Sequence, residues 1–344
     1  MTVKVESIGR QAVVEAGRRW REGRLRSTRI SADTLAPVAI LITLAIGFAI
    51  AAPQFLSVSN LRTLGDSTAI PLTVATGLTF VILMGSIDLS TQGVIATVSV
   101  SVSLLLANTT NGNDFGWLGV AAGVGLGMLF GFANGVIYTK ARLPSLIVTL
   151  GMWFIGLGIA TYLFPGEVSV VQDGAFRNWA LDRWWGLERL DYVAVLIFLL
   201  LLAVSRRTVF GRMLLAIGGA EGLVRLAGVK VDRFKIAAFT ISGGLAGVAG
   251  LMATAQLGTG RVDAGNNTLF PAISAIVVGG TLLSGGRGGL IRTLLGVLIL
   301  SVLQDGMILV GVSPYIQQAL IGALIVFGVA AATWRQRDRL RVVK

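Results

Sequence analysis

An all-α, polytopic membrane protein with about ten transmembrane helices, some of them broken or re-entrant, is the fold class this sequence predicts. Three observations predict it. Apolar stretches recur along the whole 344-residue chain, and the segments between them alternate in charge. The composition is 54% hydrophobic against 13% charged, with a mean hydropathy of +0.79. A soluble domain of this length cannot hide that much apolar surface in one core.

The elements follow in order. Residues 1–34 form a basic arm carrying Lys4, Arg10, Arg18, Arg19, Arg21, Arg24, Arg26 and Arg29. Its stretch from Val13 to Arg29 fits either a basic amphipathic helix on an anionic leaflet or an unstructured basic tail. The expected spans are Leu35–Ala52, Thr68–Met84, Gly93–Ala107, Gly116–Tyr138, Leu146–Phe164, Tyr192–Val204, Ile236–Leu257, Leu269–Leu283, Leu290–Val310 and Ile316–Thr333. Together they make a single transmembrane domain, residues 35–333. Several are shorter than the roughly 17–25 residues of a full crossing, which fits broken or re-entrant helices. The first span, with its basic flank and Ala49-Ile50-Ala51, also resembles a secretory signal. The length of the arm and the nine later spans favour a retained helix.

Charge gives the orientation. Basic residues on short loops stay in the cytoplasm. With ten spans, Lys140 and Arg142, the loop 205–235 and the tail 334–344 all fall on the side of the arm. The loop 165–191 falls outside, and there Glu167, Asp173, Asp182, Glu188 and Asp191 outnumber Arg177, Arg183 and Arg189. An odd number of spans breaks this agreement. Both termini are therefore expected in the cytoplasm. The net charge of +12 follows this topology and needs no nucleic acid.

The chain has no cysteine and no histidine. That excludes disulfides, thiolate or imidazole metal sites and histidine-based triads. Neither a metal nor a cofactor is expected. No lysine follows a glycine, so the sequence contains no Walker A phosphate loop and no ATP site of that kind.

Small residues recur at every fourth position in Gly119, Gly123, Gly127, Gly131 and Gly135, and Gly243, Gly247 and Gly250 form a similar seam. Such seams allow helices to approach closely where lipid offers no hydrophobic drive. Three further features bear on function. Asp88 lies between two apolar runs in Gly85-Ser86-Ile87-Asp88-Leu89-Ser90 with no basic neighbour. A carboxylate at membrane depth costs roughly 2.5–3.5 kcal/mol on insertion scales. It fits a cap of the third span, a pathway-lining group or a loop residue, with Gly85 and Gly93 marking a broken helix. Second, Gly218-Gly219 reads as a turn, and Glu221–Ala227 as a short cytoplasmic helix ended by Gly228. Third, Gly279, Gly280, Gly285, Gly286 and Gly288 permit a re-entrant turn or very close packing.

These segments resemble the membrane permease subunits of bacterial ATP-binding-cassette importers for simple sugars, the ribose, xylose, arabinose and galactose class. The resemblance runs from about Gln54 to Ala332. It rests on Phe55 with Asn60-Leu61, on Gly85-Ser86-Ile87-Asp88-Leu89-Ser90, and on Asn134-Gly135 followed by Leu143-Pro144 and Ile147-Val148-Thr149-Leu150-Gly151-Met152. Phe210-Gly211-Arg212 with Ala216-Ile217-Gly218-Gly219, and Gly279-Gly280-Thr281 with Gly285-Gly286-Arg287-Gly288, complete it. Ser86, Gln92, Ala220 and Leu223-Val224 depart from the usual residues of that family. The last two changes touch the coupling segment.

The resemblance implies an assembly of two permease subunits, alike or different, with a cytoplasmic ATP-binding-cassette ATPase. A periplasmic or lipid-anchored sugar-binding protein completes it, in the inner membrane. It implies that this subunit is not itself an enzyme. Coupling to the ATPase is expected through Gly211, Arg212, Gly218, Gly219, Glu221, Arg225, Leu226 and Gly228. The expected polar lining of the pathway is Asp88, Ser90, Asn134 and Thr149. Trp153, Phe154 and Tyr162 are available for sugar faces, lipid or packing. Trp179, Trp184 and Trp185 fit either docking of the binding protein or an interfacial aromatic belt. Two rivals remain: an ion-gradient transporter using Asp88, and a permease of the same superfamily for branched-chain amino acids or nucleosides. A membrane-embedded enzyme is disfavoured by the missing histidine and cysteine.

Overall fold

The computed structural model describes residues 32–164 and 166–334. Nearly all of the basic arm and the tail lie outside the described residues, and so do both readings of the stretch from Val13 to Arg29. Among the described residues there are twelve α-helices and one minimal hairpin. They are α1 (Ala32–Ala51), α2 (Val58–Leu83), α3 (Thr91–Leu105), α4 (Trp117–Lys140), α5 (Ser145–Leu163) and α6 (Gly174–Leu181). After the strands β1 (Arg183–Trp184) and β2 (Leu187–Glu188) come α7 (Arg189–Arg207), α8 (Val209–Leu226), α9 (Val231–Leu257), α10 (Leu269–Val278), α11 (Leu290–Leu309) and α12 (Pro314–Trp334). The all-α membrane class is therefore correct.

Each of the ten expected spans coincides with a helix, namely α1–α5, α7 and α9–α12. Five of these, α2, α4, α5, α9 and α11, are long and apolar enough to cross a membrane unaided. The pair α7–α8, bent by 71°, qualifies jointly as a sixth. The helices α3 and α10, of 15 and 10 residues, are too short by themselves.

Some boundaries differ for local reasons. The second helix starts at Val58 rather than Thr68, because Ser57 caps it by accepting from the Asn60 N–H at 3.2 Å. The eighth span stops at Val278 instead of Leu283, where Gly279 and then Gly280, at φ +93°, turn the chain. The loop 165–191 is not plain coil. It holds α6, capped by Asp173, and the hairpin, which is pinned to α2 by the Arg183–Asp66 ion pair.

The core is built around α2, α3 and α9, whose buried faces supply Leu78, Phe80, Ile82, Ile95, Phe239 and Met252. The two glycine seams meet, as packing alone would require. α4 and α9 run antiparallel, with Gly135 against Ile236, Gly131 against Phe239 and Thr240, and Gly127 against Gly243 and Gly247. Any side chain at these glycines would strike backbone. Gly119 and Gly123 instead meet α3 at Leu105 and Val102. Hydroxyl groups stitch the helices further. Thr79 and Thr293 join α2 to α11 at 2.7 Å, Thr97 donates to the Gly156 carbonyl of α5 at 2.7 Å, and Thr254 bonds Ser99 at 2.9 Å. In an apolar surround such bonds have few competitors.

Candidate functional site

Two ends of the bundle carry the polar chemistry. The loop end holds residues 166–191; the elbow end holds α8. At the elbow end three separate glycine-bearing segments come together. α2 ends at Leu83, and Gly85 turns the chain at φ +74°. The Leu83 carbonyl accepts from the Gly286 N–H at 3.0 Å. Gly218 lies directly against that carbonyl and the Gly286 nitrogen, and Gly286 packs so closely on Gly219 that a Cβ at Gly286 would lie 2.8 Å from the Gly219 Cα. A Cβ at Gly85 would sit 2.8 Å from the Ser284 carbonyl oxygen. Four glycines thus bring the Gly85 motif, the Gly218-Gly219 segment and the late glycine motif into backbone contact. Gly288 is held against Thr281, and Gly279 against Arg292 of α11.

The coupling segment differs from the expected turn-then-helix. Gly218 and Gly219 are helical members of α8, and the break falls at Ala220, with φ −162° and ψ 69°. Close packing at Gly218 explains why a glycine pair stands inside a helix. Beyond the kink the short helix ends at Leu226, and Gly228 takes φ +79°, as the sequence suggests. Gly211 sits under the Ser205 carbonyl at the elbow, and Arg212 is exposed. Leu223 and Leu226 are 69% and 85% exposed, so the chain leaves an apolar face of this short helix uncovered.

Charged groups fix the segment from below. Lys235 is buried, and its Nζ donates to both Glu221 carboxylate oxygens at 2.9 and 2.8 Å and to the Tyr138 hydroxyl at 2.9 Å. Glu221 also accepts from Arg225 Nε at 3.0 Å, and Arg225 donates to Asp232 at 2.7 Å. Burial pushes the Glu221 carboxyl up, but the Lys235 and Arg225 hydrogen bonds outweigh it and hold the group below its ordinary value. The Tyr138 hydroxyl in turn accepts from Ser86 Oγ at 3.1 Å. A continuous polar chain therefore links the short helix to the Gly85 motif. Lys235 and Tyr138 were not among the sequence candidates. The available signal was a lysine and a tyrosine at the ends of apolar spans, which ordinarily marks an interfacial anchor.

The expected pathway residues are brought together, but inside the bundle. Asp88 Oδ1 accepts from the Ser90 N–H at 3.0 Å and the Ser90 hydroxyl at 2.6 Å, and Oδ2 accepts from Ser242 at 2.8 Å. Asn134 Nδ2 donates to Ser90 Oγ at 2.8 Å. Thr149 donates to the carbonyls of Ser145 and Ile87, at 2.9 and 3.3 Å. All four are at most 1% exposed in this conformation. Ser90, not Asp88, is the N-cap residue of α3. Asp88 acts one step earlier, satisfying the backbone where the helix is interrupted. Gly93 is helical too, and its role is close packing on Trp153 and Gly156 of α5. Phe154 and Tyr162 are exposed on α5.

At the loop end a cavity of about 610 Å³ is lined by Gln172, Arg177, Asn178 and Asp182 of the α6 region. Trp179 stacks edge-on with Trp117 at 5.3 Å, while Trp184 and Trp185 are exposed. No group of acidic side chains able to hold a metal ion occurs among the described residues.

A family model described as "Branched-chain amino acid transport system / permease component" matches residues 60–329. A probable ABC transporter permease protein of Escherichia coli (strain K12) is 34% identical over 300 residues, covering 86% of this chain and 88% of that protein. The ribose import permease protein of the same strain is 32% identical over 305 residues, covering 87% and 93%. Its L-arabinose transport system permease protein is 32% identical over 310 residues, covering 90% and 93%. No solved structure matches. With its polytopic fold and a match over most of its length, the chain belongs to the family of permease components of ABC transport systems described above.

Proposed function

We propose that this chain is the permease subunit of an ATP-driven importer that carries a monosaccharide across the inner membrane. The observation that carries the proposal is the elbow end. An exposed apolar helix beyond Ala220 is tied by Lys235 and Tyr138 to the interruption at Ser86, and through Gly218 to two broken segments. A pull on that helix reaches the parts of the bundle that lack regular hydrogen bonding, where rearrangement is least costly. An energy input must favour one state over another to drive transport, and a cytoplasmic ATPase gripping this helix supplies it. This reading places α8, and with it both termini, in the cytoplasm. The cavity and tryptophans of the loop end then face a sugar-binding protein outside, and a second permease subunit completes the pathway.

The sugar class is supported by the relatives named for ribose and arabinose import. The family description favours a second solute class, branched-chain amino acids. An ion-driven mechanism at Asp88 is disfavoured, since both carboxylate oxygens are already occupied by hydroxyl and N–H donors. The test is to co-purify the chain with its ATPase and binding protein and reconstitute them in liposomes. Pentoses and hexoses are expected to raise ATP turnover and to accumulate only with ATP. Stimulation by leucine or valine instead selects the second solute class, and accumulation driven by a proton or sodium gradient alone overturns the importer.

A further inference from the structure

The two short apolar helices are completed by irregular chain. At about 1.5 Å per residue, α3 and α10 cover well under the roughly 30 Å of hydrocarbon. Residues 84–90 precede α3, and residues 258–268 precede α10. The second segment runs down the side of α3. Gly260 is pressed on Ser103, the Arg261 N–H donates to Ser99 Oγ at 3.2 Å, and Gly265 rests on the Gln92 backbone. Gln92 Nε2 donates to Asn266 Oδ1 at 2.6 Å. From Ser103 to Gln92 is roughly 16 Å along the helix axis. The far end of this descent lies at mid-depth, because Gly93 touches Trp153, in the middle of α5.

Along this descent Arg261, Asp263, Asn266 and Asn267 are exposed on the isolated chain, and Gln92 is half-buried. Arg261 and Asp263 form a two-bond ion pair, both distances 2.8 Å. Irregular backbone with exposed amides and charges does not face lipid at such a depth; it is covered by protein or lines water.

We propose that Gln92, Arg261, Asp263, Asn266 and Asn267 form the wetted wall of the translocation pathway, and that their amides and paired charges contact the hydroxyls of an uncharged polyhydroxylated solute. A carboxamide offers a donor and an acceptor side by side, which suits vicinal hydroxyls. The charges on the strip are paired with each other, so it presents no net charge to an ionic solute. Asp88, Ser90 and Asn134 are meanwhile engaged with one another inside the bundle. The inference rests on the permease reading and identifies which surface meets the cargo.

Because the chain has no cysteine, single-cysteine variants need no altered background. Asn266→Cys and Asp263→Cys are compared with Phe154→Cys, on the exposed apolar face of α5. Each is assembled with the ATPase and binding protein in vesicles and treated with a membrane-impermeant cationic methanethiosulfonate, with and without ATP and vanadate. Both strip positions are expected to react at least about tenfold faster than the lipid-facing control in one nucleotide state. Their modification should block uptake, and ribose or arabinose with the binding protein should slow it. If neither reacts in any nucleotide state, while the detergent-unfolded protein does, the strip is sealed and the inference is overturned. Reaction at the strip with uptake that ignores ATP overturns the importer reading instead and leaves the strip standing.

Discussion

Gly131 and Gly125 lie on the same helix and call for opposite responses to the same substitution. A Cβ at Gly131 would enter the backbone of α9, with the Phe239 carbonyl carbon at 2.9 Å and the Thr240 Cα at 3.0 Å. These are backbone atoms of a buried helix, so α4 and α9 must separate. A Cβ at Gly125 meets nothing within 4 Å. Replacing glycine by alanine inside a helix gains about 0.8–1.0 kcal/mol of propensity at either site. Only Gly131→Ala incurs overpacking, typically about 1–3 kcal/mol. The propensity gain cancels in the comparison, so Gly131→Ala should be less stable than Gly125→Ala by about 1–3 kcal/mol. Thermal unfolding of both variants in the same detergent, followed by size-exclusion fluorescence, measures the difference. Gly125→Ala should melt at or above the parent temperature, and Gly131→Ala below it. Equal melting temperatures would mean that α4 and α9 are not in backbone contact, and the packing argument for both seams would fail.

Three more outcomes follow from the geometry. Gly218→Ala drives a methyl group into the Leu83 carbonyl and the Gly286 nitrogen, whereas a Cβ at Gly125 meets nothing within 4 Å. ATP-driven uptake should fall sharply in the first variant and stay at the parent level in Gly125→Ala, and similar uptake in both would refute the role of the elbow contact. The Glu221 carboxyl is held below its ordinary value, so its contribution to stability is present above that value and is lost as pH falls through the folded one. Hydrogen-exchange protection of residues 221–228, taken relative to the intrinsic amide rate at each pH, should therefore hold near neutrality and fall only in the acid range, and Lys235→Met should weaken that dependence, with Arg225 still paired to Glu221; an unchanged profile in Lys235→Met contradicts the Lys235–Glu221 pair. Asp88→Ala strands the Ser90 N–H, the Ser90 hydroxyl and the Ser242 hydroxyl, at about 1–3 kcal/mol for each donor left unpaired. Its yield of folded protein in detergent should drop severely, and near-parental yield would show that the carboxylate has no structural role.

Much of the candidate site was legible, but unevenly. Gly218-Gly219 carries the usual mark of a turn, yet the kink falls at Ala220, and only the approach of Leu83 and Gly286 explains a glycine pair within α8. The sequence leaves Asp88 open as a helix cap, a pathway-lining group or a loop residue, because its bond to Ser242 joins residues 154 positions apart and leaves no local trace. Lys235 and Tyr138 were overlooked for the same reason: a span-terminal lysine looks alike whether it points to lipid headgroups or to Glu221. The segment 258–268 read as an ordinary connection, since nothing in its composition reveals that it descends along α3.

By itself the sequence determined the membrane solvent, the number and order of the apolar segments, and the glycine-rich stretches near which helices break. Those follow from local quantities, hydropathy over about 20 residues and glycine's freedom at positive φ. Only the tertiary structure decided which broken ends meet, which polar groups close on one another and which are left open to water. Those outcomes depend on backbone-to-backbone approach between segments far apart in the chain, and that approach is set by the packing of the whole bundle rather than by any one window of residues.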